Sequence, residues 1–310
     1  MAGAAHRPVL VRQVLEALLP APGGVIVDAT VGLGGHARAL LEREPSARLI
    51  GLDVDPDALR RAREALAPFA ARVELVEASY RQLDEVLRRL GIDAVAAALF
   101  DLGVSSLQLD TPERGFSFRH DGPLDMRFSG RGSSAAELIA EAGEEELARI
   151  VRDYGEEPRA RRVAKAIVRA RASAPLRTTG ELHRVVLAAL GHRRDRIDPA
   201  TRTFQALRIA VNEELDGIPT AVERAARALR PGGRLAVIAF HSIEDRLVKR
   251  TLRRLSGRCV CPPGSFACQC NPERLLEVLT PRPLGPDADE TATNPRARSA
   301  RLRVAERKPG

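Results

Sequence analysis

Three aspartates, each closing an apolar run, are the first candidates for chemistry. Asp28 follows Val25-Ile26-Val27, Asp53 ends the run over residues 48–52, and Asp101 follows Ala97-Ala98-Leu99-Phe100. Just after Asp28 lies Gly32-Leu33-Gly34-Gly35-His36. Glycines let a backbone turn tightly and approach a ligand with no Cβ in the way. Gly32-x-Gly34-x-x-Ala37 satisfies the dinucleotide fingerprint literally, and an acid ending the next strand accepts hydrogen bonds from ribose hydroxyls. NAD, FAD and S-adenosylmethionine all present such a ribose, so the loop and Asp53 do not choose among them. Asp101 does. In an open α/β sheet, ligands bind outside the carboxyl ends of the strands near the switch point. There Asp28, Asp53 and Asp101 would line one crevice, a poor place for a pyrophosphate and a better one for a zwitterionic methionine with a sulfonium cation. The structural alternatives are a glycine turn without a ligand and an Asp101 that caps a strand end.

The elements that must position these acids follow from periodicity. Strands are expected at residues 25–27, 48–53, 73–76 and 94–100, with helices between them from about His36 and over residues 56–66, the latter opening on Pro56 near its first turn. This βαβαβ rhythm implies a parallel, doubly wound sheet. It breaks after Asp101. Residues 102–132 read as a long structured loop, and residues 134–230 show no strand. Val163, Ala164, Ile167 and Val168 share one helical face, with Arg161, Arg162, Lys165 and Arg169 elsewhere on that helix. Strand signals resume at residues 234–239, after a turn at Pro231-Gly232-Gly233, and again at Arg301-Leu302-Arg303-Val304. The expected organisation is a discontinuous sheet domain, residues 1–105 and 214–310, interrupted by an all-helical insertion, residues 106–213.

Composition narrows the partners. A chain of 310 residues that is 44% hydrophobic can bury a substantial core, and with 3% aromatics that core is aliphatic. Net charge is +8 and the pI is near 10.1, which suits a polyanion. Only three of the 49 basic residues are Lys, a bias that also fits GC-rich coding. The charge is uneven: residues 159–208 hold 13 Arg or Lys against three Asp or Glu. RNA contact and a solvated helical surface both explain that excess. No apolar run nears the ~18 residues that span a membrane. Arg12 and Glu16 make the N-terminal segment an amphipathic helix rather than a signal peptide. A cytoplasmic protein without membrane contact is expected. In that compartment Cys259, Cys261, Cys268 and Cys270 are thiols or metal ligands rather than disulfides. Four thiolates can hold zinc tetrahedrally, but the CxC spacing is less usual than CxxC, so free thiols are the reading and no metal is assigned.

Longer motifs carry a resemblance. They are His6-Arg7-Pro8-Val9-Leu10, the loop at residues 32–36, and Asp101-Leu102-Gly103-Val104-Ser105-Ser106 with Gln108. Arg114-Gly115-Phe116-Ser117-Phe118, Asp121-Gly122-Pro123-Leu124-Asp125-Met126-Arg127 and residues 201–212 follow, then residues 240–246 and 294–299. In these the chain resembles the bacterial 16S ribosomal RNA N4-cytidine methyltransferase H family, also written RsmH or MraW. The resemblance implies a Rossmann-like class I methyltransferase sheet with an inserted helical substrate-recognition domain. It implies S-adenosyl-L-methionine as cofactor and a decoding-centre cytidine of 16S rRNA, in the small ribosomal subunit, as substrate. Its cofactor contacts fall on Gly34, Gly35, His36, Asp53, Tyr80, Asp101 and Gln108. Tyr80 replaces a Phe of some members, and either ring can stack on adenine. By analogy, Asp101 and the Leu102 carbonyl would hold the target amine. Arg114, Arg119 and Arg127, with Arg161, Arg162 and Lys165, are candidate RNA contacts. Phe116, Phe118 and Phe128 either stack on the base or pack in a core, and His241 either lines the pocket or is structural. Residues 294–299 are a second RNA edge or a folded-back clamp. The alternatives are an NAD-dependent oxidoreductase and a non-catalytic RNA-binding assembly protein. Oligomeric state is left open, with a homodimer among the options.

Overall fold

The computed structural model describes residues 8–19, 21, 23–191 and 198–309. The motif residues His6 and Arg7 and the cations Arg193, Arg194 and Arg196 lie outside the described residues. The chain divides into two compact units, one of residues Met1–Gly103 and Leu215–Gly310, the other of Val104–Glu214.

The first unit is built on seven strands: β1 (Gly24–Asp28), β2 (Ala47–Asp53), β3 (Val73–Glu77), β4 (Val95–Asp101), β5 (Leu229–Ala239), β6 (Leu276–Val278) and β7 (Arg301–Arg307). They form one sheet in the order β3-β2-β1-β4-β5-β7-β6. The pairs from β3 to β5 are parallel, and β7 runs antiparallel between β5 and β6. The central strands are apolar almost throughout because helices cover both faces. β4 is buried from Val95 to Phe100 and only its terminal Asp101 emerges. The strand order reverses between β1 and β4, so their carboxyl ends, Asp28 and Asp101, flank the switch point.

Two details were not visible in the periodicity. β6 is three residues long, too short for alternation to register. The expected turn at Pro231-Gly232-Gly233 lies inside β5. Leu229 pairs with Val95 and Arg234 with Ala97, so residues 230–233 bulge out of the ladder. Gly232 sits at φ +75, and a Cβ on Gly233 would meet the carbonyl oxygens of Arg230 and Ala96 at 2.8 and 2.9 Å.

Residues 294–299 fold back. A short helical turn, Pro295–Ser299, puts Ala297 into the same core cluster as Leu10, Val14 and Leu302. Just before it, Glu290 accepts from the Leu10 amide at 2.6 Å.

The second unit packs helices Ala135–Glu141, Glu144–Asp153, Ala160–Ser173, Thr179–Leu190 and Thr201–Asn212 around its own core, including Leu147, Val151, Val163, Ile167, Val186 and Leu207. Ser134 and Thr178 open two of these helices with capping boxes to Glu137 and Glu181. Among the described residues no helix is long and apolar enough to cross a membrane.

Candidate active site

The carboxyl edge of the sheet gathers the candidate acids. Asp28 ends β1, and one of its oxygens accepts from the Thr30 amide at 3.2 Å. The Thr30 hydroxyl in turn accepts from the Asp101 amide at 2.6 Å, tying the end of β1 to the end of β4. Asp53 ends β2. Its Oδ2 accepts from the Gly32 amide at 2.9 Å and its Oδ1 from the Asp55 amide at 2.9 Å. The acid thus holds the glycine loop, and each oxygen keeps a second lone pair for a hydroxyl donor. Gly34 has φ +81 and precedes helix Gly35–Arg43, a conformation that favours glycine. Gly35 has a packing reason: a Cβ there would sit 2.7 Å from the Pro8 ring.

His36 is buried, and its Nε2 lies 2.7 Å from the Val9 carbonyl oxygen. A carbonyl only accepts, so Nε2 carries the proton. Burial lowers the pKa of His36 against the opposing pull of Asp28, which favours the neutral ring. The remaining lone pair on Nδ1 then faces Asp101 Oδ2 at 3.6 Å, acceptor against acceptor whenever Asp101 is ionised. Asp101 Oδ1 is enclosed and has no hydrogen-bond partner among the described residues, although the side chain as a whole remains 25% exposed.

Electrostatics follow from this crowding. Burial raises Asp28 to about 7, with Asp101 and Asp53 adding to the rise. Burial raises Asp53 to about 6 against the amides of Asp55 and Gly32. Burial raises Asp101 to about 7, and the charge of Glu244 adds to it. Among the described residues, none of the three acids is ion-paired with Lys or Arg. An edge with three acids and no Lys or Arg paired to them among the described residues is complementary to a cationic ligand that also brings N–H and O–H donors.

Tyr80 starts a short turn after β3 and rests edge-on against Phe100 of β4, with centroids 6.1 Å apart. Gln108 belongs to the helical unit. It is buried there, and its side chain closes a capping box with Ser105. Glu244 lies in the motif at residues 240–246, where the sequence alone assigns it no role. It is buried, and Oε2 accepts from the Phe240 amide at 2.9 Å. His241 caps helix Ser242–Leu255, with Nδ1 accepting from the Glu244 amide at 3.4 Å, and its Nε2 lies 3.1 Å from Glu244 Oε1. The signal was present as a capping-box spacing, hidden because His stands where Ser or Thr is usual.

The candidate RNA residues separate by environment. Arg114 donates to the Arg127 and Phe128 carbonyls at 3.1 and 2.7 Å. Arg127 pairs with both oxygens of Asp125, at 2.9 and 2.6 Å. Arg119, Arg161, Arg162 and Lys165 are exposed. Arg161, Lys165 and Arg169 follow at four-residue steps along helix Ala160–Ser173, which aligns them on one face. The three phenylalanines pack within the helical unit. Phe116 stacks on Phe128 at 5.4 Å, and Phe118 lies against His183 and Phe204 at 4.7 and 4.9 Å.

A seven-stranded sheet of this order, its last strand antiparallel and its switch point lined by acids, defines a Rossmann-like class I methyltransferase. Residues 3–308 match the family described as the MraW methylase family. The chain is 51% identical over 303 residues to the ribosomal RNA small subunit methyltransferase H of Symbiobacterium thermophilum, covering 96% of this chain and 95% of that protein. It is 51% identical over 306 residues to the protein of the same name from Geobacter sulfurreducens, covering 97% and 98%. The chain belongs to the MraW methylase family. That family is described as one of methylases, which stands against the oxidoreductase alternative raised by the glycine loop.

Proposed function

We propose that this protein uses S-adenosylmethionine to methylate the exocyclic N4 of a decoding-centre cytidine in the 16S rRNA of the small ribosomal subunit. The names of its relatives support the ribosomal substrate. The observation that carries the chemistry is Asp101: a strand-end carboxylate with an enclosed, unpartnered oxygen and a neutral histidine lone pair beside it.

The residues at this edge suit the cofactor. Asp53 has lone pairs left for ribose hydroxyls, Tyr80 offers a ring for adenine, and Gly34, Gly35 and His36 form the turn beneath. Asp28 and Asp101 supply negative charge opposite a cationic sulfur. When bound, S-adenosylmethionine supplies a methyl group on a sulfonium that leaves as a neutral thioether, so no metal is needed for its departure.

The target nitrogen is a poor nucleophile because its lone pair is delocalised into the cytosine ring. Acceptors that take its two N–H groups turn that lone pair out of conjugation and along the line of attack. Asp101 and the Leu102 carbonyl are assigned to this task. Positioning of this kind supplies several kcal/mol of the barrier reduction. As the new N–C bond forms, the amine proton becomes acidic, and a carboxylate that titrates about 7 suits its acceptance. The exposed cations Arg119, Arg161, Arg162 and Lys165 are assigned to phosphate contacts.

The test is transfer of a labelled methyl group to purified small subunits and to naked 16S rRNA, followed by mass-spectrometric mapping. A single N4-methylcytidine in the decoding centre is expected. Label on a ring carbon, on a ribose or on a different base would contradict the proposal.

A further inference from the structure

Residues 256–275 leave helix Ser242–Leu255 and return toward β6, and not one of them is buried. Phe266, the one aromatic in the segment, stands fully exposed. Apart from an isolated bridge between Ser256 and Arg274, the segment has no sheet or helix pairing. A stretch of this length with no core of its own has little hydrophobic burial to offset the entropy of ordering it.

Its four cysteines converge nevertheless. The sulfurs of Cys259, Cys261, Cys268 and Cys270 all lie within 4.8 Å of one another. Cys268 is 3.6 Å from Cys259 and 3.5 Å from Cys270, and Cys259 and Cys270 are 3.7 Å apart. A disulfide would bring two sulfurs to about 2.05 Å. Four thiolates about 2.3 Å from one tetrahedral ion have edges of about 3.8 Å, close to these separations. A multi-iron cluster would hold its thiolates farther apart, across the width of its core. Two backbone amides complete the pattern. Val260 donates to Cys270 Sγ and Gln269 to Cys261 Sγ, each at 3.3 Å, so each CxC turn supports a sulfur of the other.

The surroundings suit thiolates. Lys249, Arg250 and Arg253 of the adjoining helix line a shallow cleft with Cys259, Val260 and Cys261. A divalent ion with four thiolates carries a net charge of −2, and neighbouring cations favour the thiolate over the thiol.

We propose that Cys259, Cys261, Cys268 and Cys270 form a structural zinc site that holds residues 256–275 in place. Four protein ligands leave no open position, so the ion orders the segment and takes no part in methyl transfer. Borderline-soft, tetrahedral, all-sulfur coordination selects zinc among the common cellular cations. Folding the segment and binding the ion are then one process.

The full-length protein, gel-filtered in chelator-free buffer, should carry one zinc per chain by plasma mass spectrometry. A mercurial that blocks the four thiols should release that zinc in step with their titration. The Cys268→Ser/Cys270→Ser variant should lose the zinc and become sensitive to protease between residues 256 and 275, while keeping its affinity for S-adenosylmethionine. Replacement by cobalt should give the intense charge-transfer and ligand-field bands of tetrahedral sulfur coordination, a readout on the unsubstituted chain that does not depend on the variant folding. Metal-free protein with four thiols freely reactive to Ellman's reagent would overturn the proposal. So would two disulfides found by mass spectrometry, or zinc retained in full by the double variant.

Discussion

At the carboxyl edge of the sheet, acids outnumber the groups that neutralise them. In the helical unit, Arg114, Asp125 and Arg127 are spent on the fold itself. Asp101 keeps an enclosed oxygen without a partner, whereas Asp125 gives both oxygens to Arg127, and Arg114 gives its guanidinium to two carbonyls. Asn212 makes three hydrogen bonds. It donates to the Met126 and Arg208 carbonyls at 2.7 and 3.0 Å and accepts from the Phe128 amide at 2.8 Å. That clamp holds Met126 at φ +64, a backbone state unusual for so large a residue. Both regions lie in the motifs that mark the family. The difference teaches that a recognisable motif signals constraint, while several buried acids crowded at one sheet edge without cationic partners signal a ligand-binding surface.

This contrast can be broken from either side. Asp101→Asn keeps the shape of the side chain and removes its charge. Methyl transfer to small subunits should fall about 10²–10⁴-fold in rate with the fold intact by circular dichroism. Near-normal turnover would remove Asp101 from the chemistry. Asn212→Ala should do the reverse. It strands the Met126 carbonyl and the Phe128 amide and should cost about 2 kcal/mol in urea unfolding, with affinity for S-adenosylmethionine unchanged. A loss of cofactor affinity without a loss of stability would erase the distinction. Asp53→Asn should weaken S-adenosylmethionine binding roughly 10-fold, the value of one hydrogen bond to a charged group. An unchanged dissociation constant would leave Asp53 as a loop anchor only.

A further effect concerns pH. Asp101 titrates about 7 in the folded chain, above its unfolded value of about 4. The folded state therefore holds the proton more tightly. Its contribution to stability is complete below about pH 4 and is lost as pH rises to about 7. Asp101→Asn lacks this titration. The variant's melting temperature, relative to the parent's, should climb by several degrees between pH 4 and pH 7.5. A difference that does not vary with pH would contradict the raised proton affinity.

How far the sequence reaches is clear from particular residues. The strands carrying Asp28, Asp53 and Asp101 were legible because each is a short apolar run with an acid at its end, and a parallel sheet buried on both faces produces that pattern. The isolation of Asp101 was not legible. It depends on Glu244, far along the chain, and on a histidine tautomer set by the carbonyl of Val9, and no spacing rule connects these. Nor can a sequence distinguish Arg114, whose donors go to nearby carbonyls, from Arg119, which is exposed. Both are arginines in one short basic stretch, and only the path of the backbone between Gly115 and Phe128 separates them. That path turns at Gly115, where a Cβ would lie 2.1 Å from the Pro123 carbonyl oxygen.

The acid edge is complementary to a cation. Calorimetric titration of S-adenosylmethionine into the protein at pH 6.5, in buffers of different ionisation enthalpy, tests that complementarity most directly. A cation favours the carboxylate forms of Asp28 and Asp101, so binding should release protons at pH 6.5 and far fewer at pH 8.5. Binding heats that are the same in every buffer, or proton uptake at pH 6.5, would contradict the account.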